Sequence, residues 1–543
     1  MGTEMPEQSF EVPKLTIYEI LREAATEKPE SPALSYLGKR MSYGELLDMV
    51  DSVSGLLSDS GVENGDAVVV GLHNCPEAVI ALYAANRIGA VAVMVHPLSS
   101  KEDISKCLKD NRCKVAFVNG VCALRFLQSI PQGMRCSVVL VPAPGENGDI
   151  PKSVNWNDFI SKRHEAAPYE RVCSPEDPAA ILYTGGTTGT SKGAVISSVT
   201  FNASAIGMKV ASGLDENGQK MLSVLPLFHG FGLCTGVHLP VTQRIEAVLI
   251  PRFTPESVAK VLFMERPSVI FGVPTVFEKI LERGIPDGID LSFLAGLFCG
   301  GDAMPPSMKR NVDRVLAEHG CKTKIRIGYG CTECLSAVTI TPENEERENS
   351  VGTPLPGCEI CIMPIEGQPS ENGEGEVCVR GPVVMKGYLN QPEETAKVLR
   401  RHSDGKVWLH TGDVGRIDED GSLIFERRLK RIIITSGYNV YPSELERCLD
   451  SDPRVKASCV VGIPDGIRVA SVKAFIILKD GVEKSVDTLD HIRARLAEMI
   501  PTYAVPREFE FLDSFPQTLF GKVSYRSLEN GDFNGFVLDK IAL

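Results

Sequence analysis

Apolar residues along this chain repeat at two periods, and the switching between them predicts the fold. Ile17, Ile20, Leu21, Ala24 and Ala25 fall at helical spacing behind Thr16, a residue suited to cap a helix start. Ser42 and Glu45 make the Ser-x-x-Glu pattern of a capping box ahead of Leu46, Leu47, Val50, Val53 and Leu57. Ala67–Leu72 is a continuous apolar run of strand length. Glu77–Arg87 then reads as a helix, and Val91–Val95 as a second strand. A helix from Ser100 and a strand at Val115–Val118 continue the series. Strand and helix alternating at this pace predict an α/β fold with parallel sheets covered on both faces. Residues 141–178, rich in proline, glycine and polar groups, predict a connection over the surface.

The alternation resumes at Ala179–Leu182, an apolar run that ends in Tyr183–Gly193, YTGGTTGTSKG. Strands are predicted at Ser268–Gly272, Leu297–Gly301 and Ile325–Ile327, with glycine or polar residues at their ends. Such sheets bind ligands in the crevice beyond the carboxyl ends of their strands. From Val351 the pattern shortens to alternating segments such as Gly375–Arg380 and Gly415–Phe425, the latter with Asp420-Gly421 as a hairpin signal. A basic run, Arg427-Arg428-Leu429-Lys430-Arg431, precedes a compact α+β pattern. Its parts are a helix from Pro442, strands at Ala457–Ile463 and Val472–Leu478, a helix near Thr488–Met499 and a strand at Glu508–Leu512. The expected boundary lies at the basic run, with a large N-terminal domain over 1–428, including a small β-rich subdomain, and a smaller domain over 429–543.

A chain of 543 residues exceeds one ordinary core, which agrees with two domains. Its net charge of −13 argues against a nucleic-acid or anionic-membrane surface. The first ten residues, MGTEMPEQSF, lack the apolar core of a signal peptide, and Asn86–Gly89 interrupts the most apolar window, Ala78–Val95. A soluble, cytoplasmic protein is expected, and sixteen cysteines without a secretory signal are expected to be reduced. Cys331/Cys334 and Cys358/Cys361 have zinc-like spacing. GCEICIMPI alternates like a strand, however, which sends Cys358 and Cys361 to opposite faces and favours incidental thiols.

The candidate chemistry starts with the glycine loop. Its glycines let backbone N–H groups approach an anion, its hydroxyls add donors, and Lys192 adds a mobile charge suited to phosphate. It is not a Walker A loop, because Ser191 precedes the lysine, Gly193 follows it, and Ala194–Ile196 reads as a strand. Four further sites draw notice: Tyr329-Gly330-Cys331-Thr332-Glu333, His410-Thr411-Gly412-Asp413, His229 within Pro226–Gly232, and Lys522 in a late glycine turn. Read singly, each has a plainer account. These are a Gly/Thr surface loop, a turn with a surface glutamate, an Asx-type turn and a packed histidine, while Lys522 alone carries no signal.

In order and spacing, YTGGTTGTSKG, PLFHGFG, CGGDAM, YGCTE, VGTPLPG, HTGD, RLKRII, SGYNVYPSELE and PQTLFGKV resemble one family across residues 183–526. It is the adenylate-forming superfamily, which includes acyl-CoA synthetases, beetle luciferases and nonribosomal-peptide adenylation domains. The resemblance implies ATP, Mg2+ and coenzyme A as the small molecules handled, and a carboxylic acid as substrate. It places Thr184, Gly185, Gly186, Thr187, Thr188, Gly189, Thr190 and Lys192 on the β- and γ-phosphates. Thr332 falls on the α-phosphate, Glu333 on Mg2+, Tyr329 and Asp302 beside adenine, and Asp413 with Arg428 on the ribose. Lys522 is implied between the carboxylate and the α-phosphate, where its charge offsets the repulsion of two anions. The smaller domain is implied to turn about Lys430, bringing Ser436, Gly437 and Tyr438 to a CoA channel lined by His229. Phe231, Gly301, Ile327, Gly328 and Ser336 are implied in the acyl pocket.

Departures from the family pattern are Thr184-Gly185 for the usual Ser-Ser, Ser191 for proline and Arg427 for aspartate. No aspartate lies in Phe228–Gly232 to pair with an amino-acid ammonium, and Ile434 replaces the lysine of luciferases. The expected activity is that of an ATP-dependent acid:CoA ligase acting on an alkyl, aryl or terpenoid acid. An adenylating enzyme that loads a carrier protein is the alternative. A Gly-rich-loop kinase or non-catalytic nucleotide binder is the reading from a different class.

Overall fold

The computed structural model describes residues 10–143, 150–162, 168–184, 192–214, 219–251, 254–286, 288–343, 345, 347–365, 372–429, 431, 433–435, 438–465, 469–500, 504–517 and 523–532. The chain forms two compact units. The first comprises Met1–Cys361, Cys378–Thr411 and Ile417–Ile424, and the second Ile362–Val377, Gly412–Arg416 and Phe425–Leu543.

The first unit holds two large sheets. One has nine strands, in the order Thr353–Pro354, Ala337–Ile340, Ile325–Gly330, Gly296–Cys299, Val269–Gly272, Lys220–Ser223, Glu246–Leu249, Pro32–Tyr36 and Lys39–Ser42. Its inner pairs are parallel and its margins antiparallel. The other has eight strands, in the order Gly387–Tyr388, Gly193–Ser197, Pro178–Tyr183, Val91–Met94, Ala67–Gly71, Val115–Asn119, Ser137–Val141 and Val154–Asn155. It is antiparallel only at the Gly193–Ser197 end. Central strands such as Ala67–Gly71 are buried along their whole length, as their unbroken apolar sequences require.

Helix starts follow the sequence signals closely. Thr16 and Ser42 both close capping boxes, with Glu19 and Glu45 returning to the cap N–H groups at 2.8 Å. The helix Tyr43–Asp59 buries Leu46, Val50, Val53 and Leu57 and packs on the helix Pro76–Arg87.

Two expectations are corrected. The strand predicted to stop at Ile327 runs on through Gly330, because Gly328 and Tyr329 pair with Ile340 and Thr339. Residues 141–178 hold a short strand and the helix Trp156–Ser161, whose Trp156 and Phe159 pack edge-on against Phe117. Two aromatic side chains outweigh the polar composition around them.

In the second unit, a sheet runs Tyr438–Val440, Ile433–Thr435, Val469–Leu478, Val455–Asp465, with Glu508–Phe511 parallel to Val469–Leu478. Leu445, Leu449, Ile492 and Leu496 of the helices Pro442–Asp450 and Val486–Met499 bury against Val460 and Ile476.

One buried titratable group in the first unit makes a testable statement about stability. Asn202 Nδ2 donates to the Leu15 carbonyl (2.8 Å), so its Oδ1 accepts from Nε2 of His238 (2.8 Å). Nδ1 of His238 then faces the Tyr83 hydroxyl at 3.1 Å. Both ring nitrogens are used by a neutral imidazole, and full burial pushes the His238 pKa from 6.5 down to about 3. Between those values the unfolded chain binds the extra proton. The stability His238 contributes is therefore complete above pH 6.5 and is lost as pH falls toward 3. Denaturant titrations should show this loss at up to about 1.4 kcal/mol per pH unit. An equally steep profile in a His238→Gln variant would assign the slope to another group.

Candidate active site

The glycine loop is the connection of a β-hairpin. Pro178–Tyr183 and Gly193–Ser197 run antiparallel with Tyr183 opposite Gly193, and the Thr184 N–H donates to the Lys192 carbonyl at 2.9 Å. The chain therefore leaves and returns at one place, as strand–loop–strand, which excludes a Walker A arrangement. Gly193 is required there, since a Cβ would stand 2.9 Å from Ile181 Cγ2. Gly185, Gly186, Thr187, Thr188, Gly189 and Thr190 lie outside the described residues.

At the foot of the hairpin, Lys192 pairs with the Glu394 carboxylate and stands 4.9 Å over the ring centre of Tyr388. Lys192 and then Lys397 hold the Glu394 carboxyl well below the usual carboxylate range. Tyr388 arrives on the two-residue strand Gly387–Tyr388, where it lies opposite Ala194. Its hydroxyl donates to Glu333 Oε1 at 2.7 Å, and the Met385 N–H donates to the Glu333 carbonyl at 2.7 Å. Burial first, and the Glu333 charge second, push the Tyr388 pKa far up, so this hydroxyl stays a donor. One aromatic side chain thus joins the glycine-loop lysine to Glu333.

Glu333 sits in a single 3-10 turn, Thr332–Cys334, after the strand Ile325–Gly330. The turn doubles back sharply. Leu335 takes φ 63°, and a Cβ on Gly330 would overlap the Ser336 carbonyl oxygen. Tyr329 is buried just before it. The loop containing His229 meets this turn directly, because a Cβ on Gly230 would overlap the Leu335 carbonyl oxygen. His229 caps the short helix Gly230–Leu233, its Nδ1 accepting from the Phe231 N–H at 3.3 Å. The neighbouring Phe228 ring lies 4.3 Å from that of His96.

Asn74, buried beyond the strand Ala67–Gly71, fixes this loop from the other sheet. Its amide nitrogen donates to the carbonyls of Leu225 (2.9 Å) and Ser223 (3.2 Å), and its oxygen accepts from the Leu227 N–H (3.0 Å).

Of the residues expected around the acyl group, Gly301 follows the strand Gly296–Cys299 and Ile327 and Gly328 lie on its neighbour Ile325–Gly330, while Phe231 lies on the short helix Gly230–Leu233. Phe231 meets Phe271 edge-on at 6.2 Å, and Phe271 stacks on Phe298 at 4.5 Å. Gly300 and Gly301 border the Phe231 ring, where added Cβ atoms would lie 3.6 and 3.9 Å from it. Ile327 and Gly328 are half-buried on the adjacent strand, and Ser336 is buried. Asp302 is exposed and accepts from the Ala303 N–H at 2.9 Å.

In the second unit, Arg428 Nε lies 3.3 Å from Oδ1 of the buried Asp413, and Gly412 donates its N–H to Glu376 at 3.0 Å. Arginines of the basic run are paired. Arg427 pairs with Glu374 (3.1 Å) and lies 4.3 Å over the Tyr441 ring, and Arg431 bridges to Glu446 (2.7 Å) and lies 3.9 Å over Tyr525. Tyr438 opens a strand opposite Thr435. Lys430, Ser436, Gly437 and Lys522 lie outside the described residues.

A family model described as AMP-binding enzyme matches residues 21–389, and one described as AMP-binding enzyme C-terminal domain matches residues 444–522. The chain belongs to the AMP-binding enzymes. It is 32% identical over 549 residues to a long-chain-fatty-acid–CoA ligase of Bacillus subtilis, covering 95% of this chain and 94% of that protein. It is likewise 32% identical over 513 residues to a feruloyl-CoA synthase of Amycolatopsis, covering 92% and 95%. In fold it is similar to ATP-bound MatB from Rhodopseudomonas palustris, with a TM-score of 0.83 at 24% identity over 95% of this chain and 99% of that one. The family and fold expected from the motifs are those found.

Two residues of this AMP-binding enzyme escaped the sequence reading, Tyr388 and Glu394. GYLNQPEE reads as an ordinary Pro-led, acidic helix start, and only the pairing of Gly387–Tyr388 with Gly193–Ser197 brings it to the loop. The donor set at Glu333, a carboxylate with a threonine hydroxyl beside it in sequence, suits a hard cation such as Mg2+. No helix among the described residues is long and apolar enough to cross a membrane.

Proposed function

We propose that this AMP-binding enzyme is an ATP-dependent acid:CoA ligase. The observation that carries the reading is the chain Lys192–Tyr388–Glu333, which ties a lysine suited to phosphate and a carboxylate suited to a metal through one tyrosine. The aromatic wall of Phe231, Phe271 and Phe298 and the CoA-ligase names of the relatives support a hydrophobic acid, alkyl, aryl or terpenoid.

In the first half-reaction the acid's carboxylate oxygen attacks the α-phosphorus of ATP, the bond to the β-phosphate oxygen breaks, and pyrophosphate leaves. Lys192 exchanges its partly exposed Glu394 partner for phosphate oxygens, and Thr184 to Thr190 supply N–H and hydroxyl donors. Thr332 contacts the α-phosphate, and Glu333, oriented by Tyr388, holds Mg2+. The ion neutralises phosphate charge when bound. Tyr329 and Asp302 border adenine, and Asp413 with Arg428 takes the ribose. Lys522 offsets the repulsion between carboxylate and α-phosphate. In the second half-reaction the CoA thiolate, its proton given up to solvent, bonds to the acyl carbon, the acyl carbon–phosphate oxygen bond breaks, and AMP leaves. His229, Ser436, Gly437 and Tyr438 are read as bordering the CoA path, with Lys430 as the hinge.

We read residues 1–428 and 429–543 as the two domains. The longest span of the second unit, Phe425–Leu543, and the C-terminal family match over 444–522 support this, although that unit also takes in Ile362–Val377 and Gly412–Arg416. We read the location as cytoplasmic, in keeping with sixteen cysteines of which none among the described residues is in a disulfide.

Carboxylate-dependent ATP–pyrophosphate exchange across a panel of hydrophobic acids tests the assignment. Exchange with at least one acid, then AMP and thioester on adding CoA, is the expected result. Formation of ADP, or no exchange with any acid, excludes it. Transfer only to a phosphopantetheinylated carrier protein would identify the alternative acceptor.

A further inference from the structure

A hairpin and a neighbouring strand in the first unit bring together two imidazoles and a thiol that the adenylation reading does not use. His402 follows the strand Leu399–Arg401 and His410 lies on Val407–Ile417. The antiparallel pairing of Arg401 with Val407 and Leu399 with Leu409 turns them toward each other. A tight turn fixes the register, the His402 N–H donating to the Lys406 carbonyl at 2.9 Å and the Gly405 N–H to the His402 carbonyl at 3.0 Å. The Nε2 atoms of the two rings face each other at 3.0 Å. Buried Cys378, on the strand Gly375–Arg380, completes the group, with its sulfur and the ring nitrogens within 4.8 Å of one another.

We propose that Cys378, His402 and His410 form a zinc(II) site. Tetrahedral zinc, with bonds of about 2.0–2.1 Å to nitrogen and 2.3 Å to sulfur, needs N···N near 3.3 Å and N···S near 3.6 Å. The observed spacings reach this by small side-chain rotations. One thiolate with two imidazoles is a borderline-soft donor set, which suits zinc and does not suit Mg2+ or Ca2+. The rings are held for the task. Trp408 stacks on His402 at 5.5 Å and 13°, and Trp408 Nε1 donates to Asp404 at 3.3 Å. On binding, the S–H proton of Cys378 passes to solvent as the sulfur–zinc bond forms, and a water takes the fourth position.

Zinc(II) alone is the probe. Full-length protein stripped by a chelator should take up one equivalent in competition with a chromophoric chelator. Cobalt(II) in its place should give a sulfur-to-metal charge-transfer band. Cys378→Ser should abolish that band, and His402→Gln, at a half-buried position that spares the core, should weaken uptake on the order of 10²-fold. Thermal melts establish that each variant is folded. Absence of stoichiometric uptake by the unaltered protein, or uptake and a cobalt band unchanged in His402→Gln, overturns the proposal.

Discussion

Glu333→Gln is expected to raise the Mg2+ concentration needed for half-maximal pyrophosphate exchange on the order of 10²-fold, with the protein still folded. The amide keeps the shape of the side chain and an oxygen for the Tyr388 hydroxyl, so the 3-10 turn and its contact to Met385 should persist. What disappears is the negative charge, and a hard divalent cation binds a neutral amide oxygen far more weakly than a carboxylate. Tyr388→Phe should act in the same direction by about tenfold, because it removes only the hydroxyl that orients Glu333. A Mg2+ titration for each variant is the measurement. An unchanged half-saturation point for Glu333→Gln would remove Glu333 from the metal-binding role.

Gly230→Ala is expected to lower stability by about 3 kcal/mol and to remove most adenylating activity. The new methyl group would overlap the Leu335 carbonyl oxygen and lie 3.1 Å from Leu182 Cδ1. Backbone yields less readily than a side chain. Leu335 is bound to Thr332 through its N–H at 2.9 Å and already takes φ 63°, so it has little room to retreat. The displacement would separate the His229 loop from the Thr332–Glu333 turn. Thermal unfolding combined with pyrophosphate exchange checks this, and a variant matching the parent in both would show that the two segments are not in firm contact.

Much of this arrangement was legible in the sequence, for identifiable reasons. Capping boxes at Thr16 and Ser42 are local devices, and local chemistry decides them. The glycine loop was readable as something other than a Walker A turn because Gly193–Ser197 has strand character. By contrast, Gly328 and Gly330 look like strand breakers, yet they extend the strand. Their missing side chains admit the carbonyls of Thr339 and Ser336. Tyr388 and Glu394 carry no local mark at all, since their place depends on pairing with a strand nearly two hundred residues earlier. Cysteine spacing is equally silent about where side chains converge. Cys331/Cys334 and Cys358/Cys361 have a familiar interval, whereas the group that converges among the described residues is Cys378, His402 and His410, drawn from neighbouring strands.

Asn74 has a bearing on how such an enzyme changes its diet. It clasps the Ser223–Leu227 backbone through main-chain atoms alone, while Phe271 and Phe298, stacked on each other, come from two other strands. Scaffold and lining are therefore separately mutable. Lineages, or protein engineers, can swap the aromatic panels for a bulkier or slimmer acid and leave the mounting bracket alone. Its planar amide, offering two donors and an acceptor, meets all three of these bonds at once.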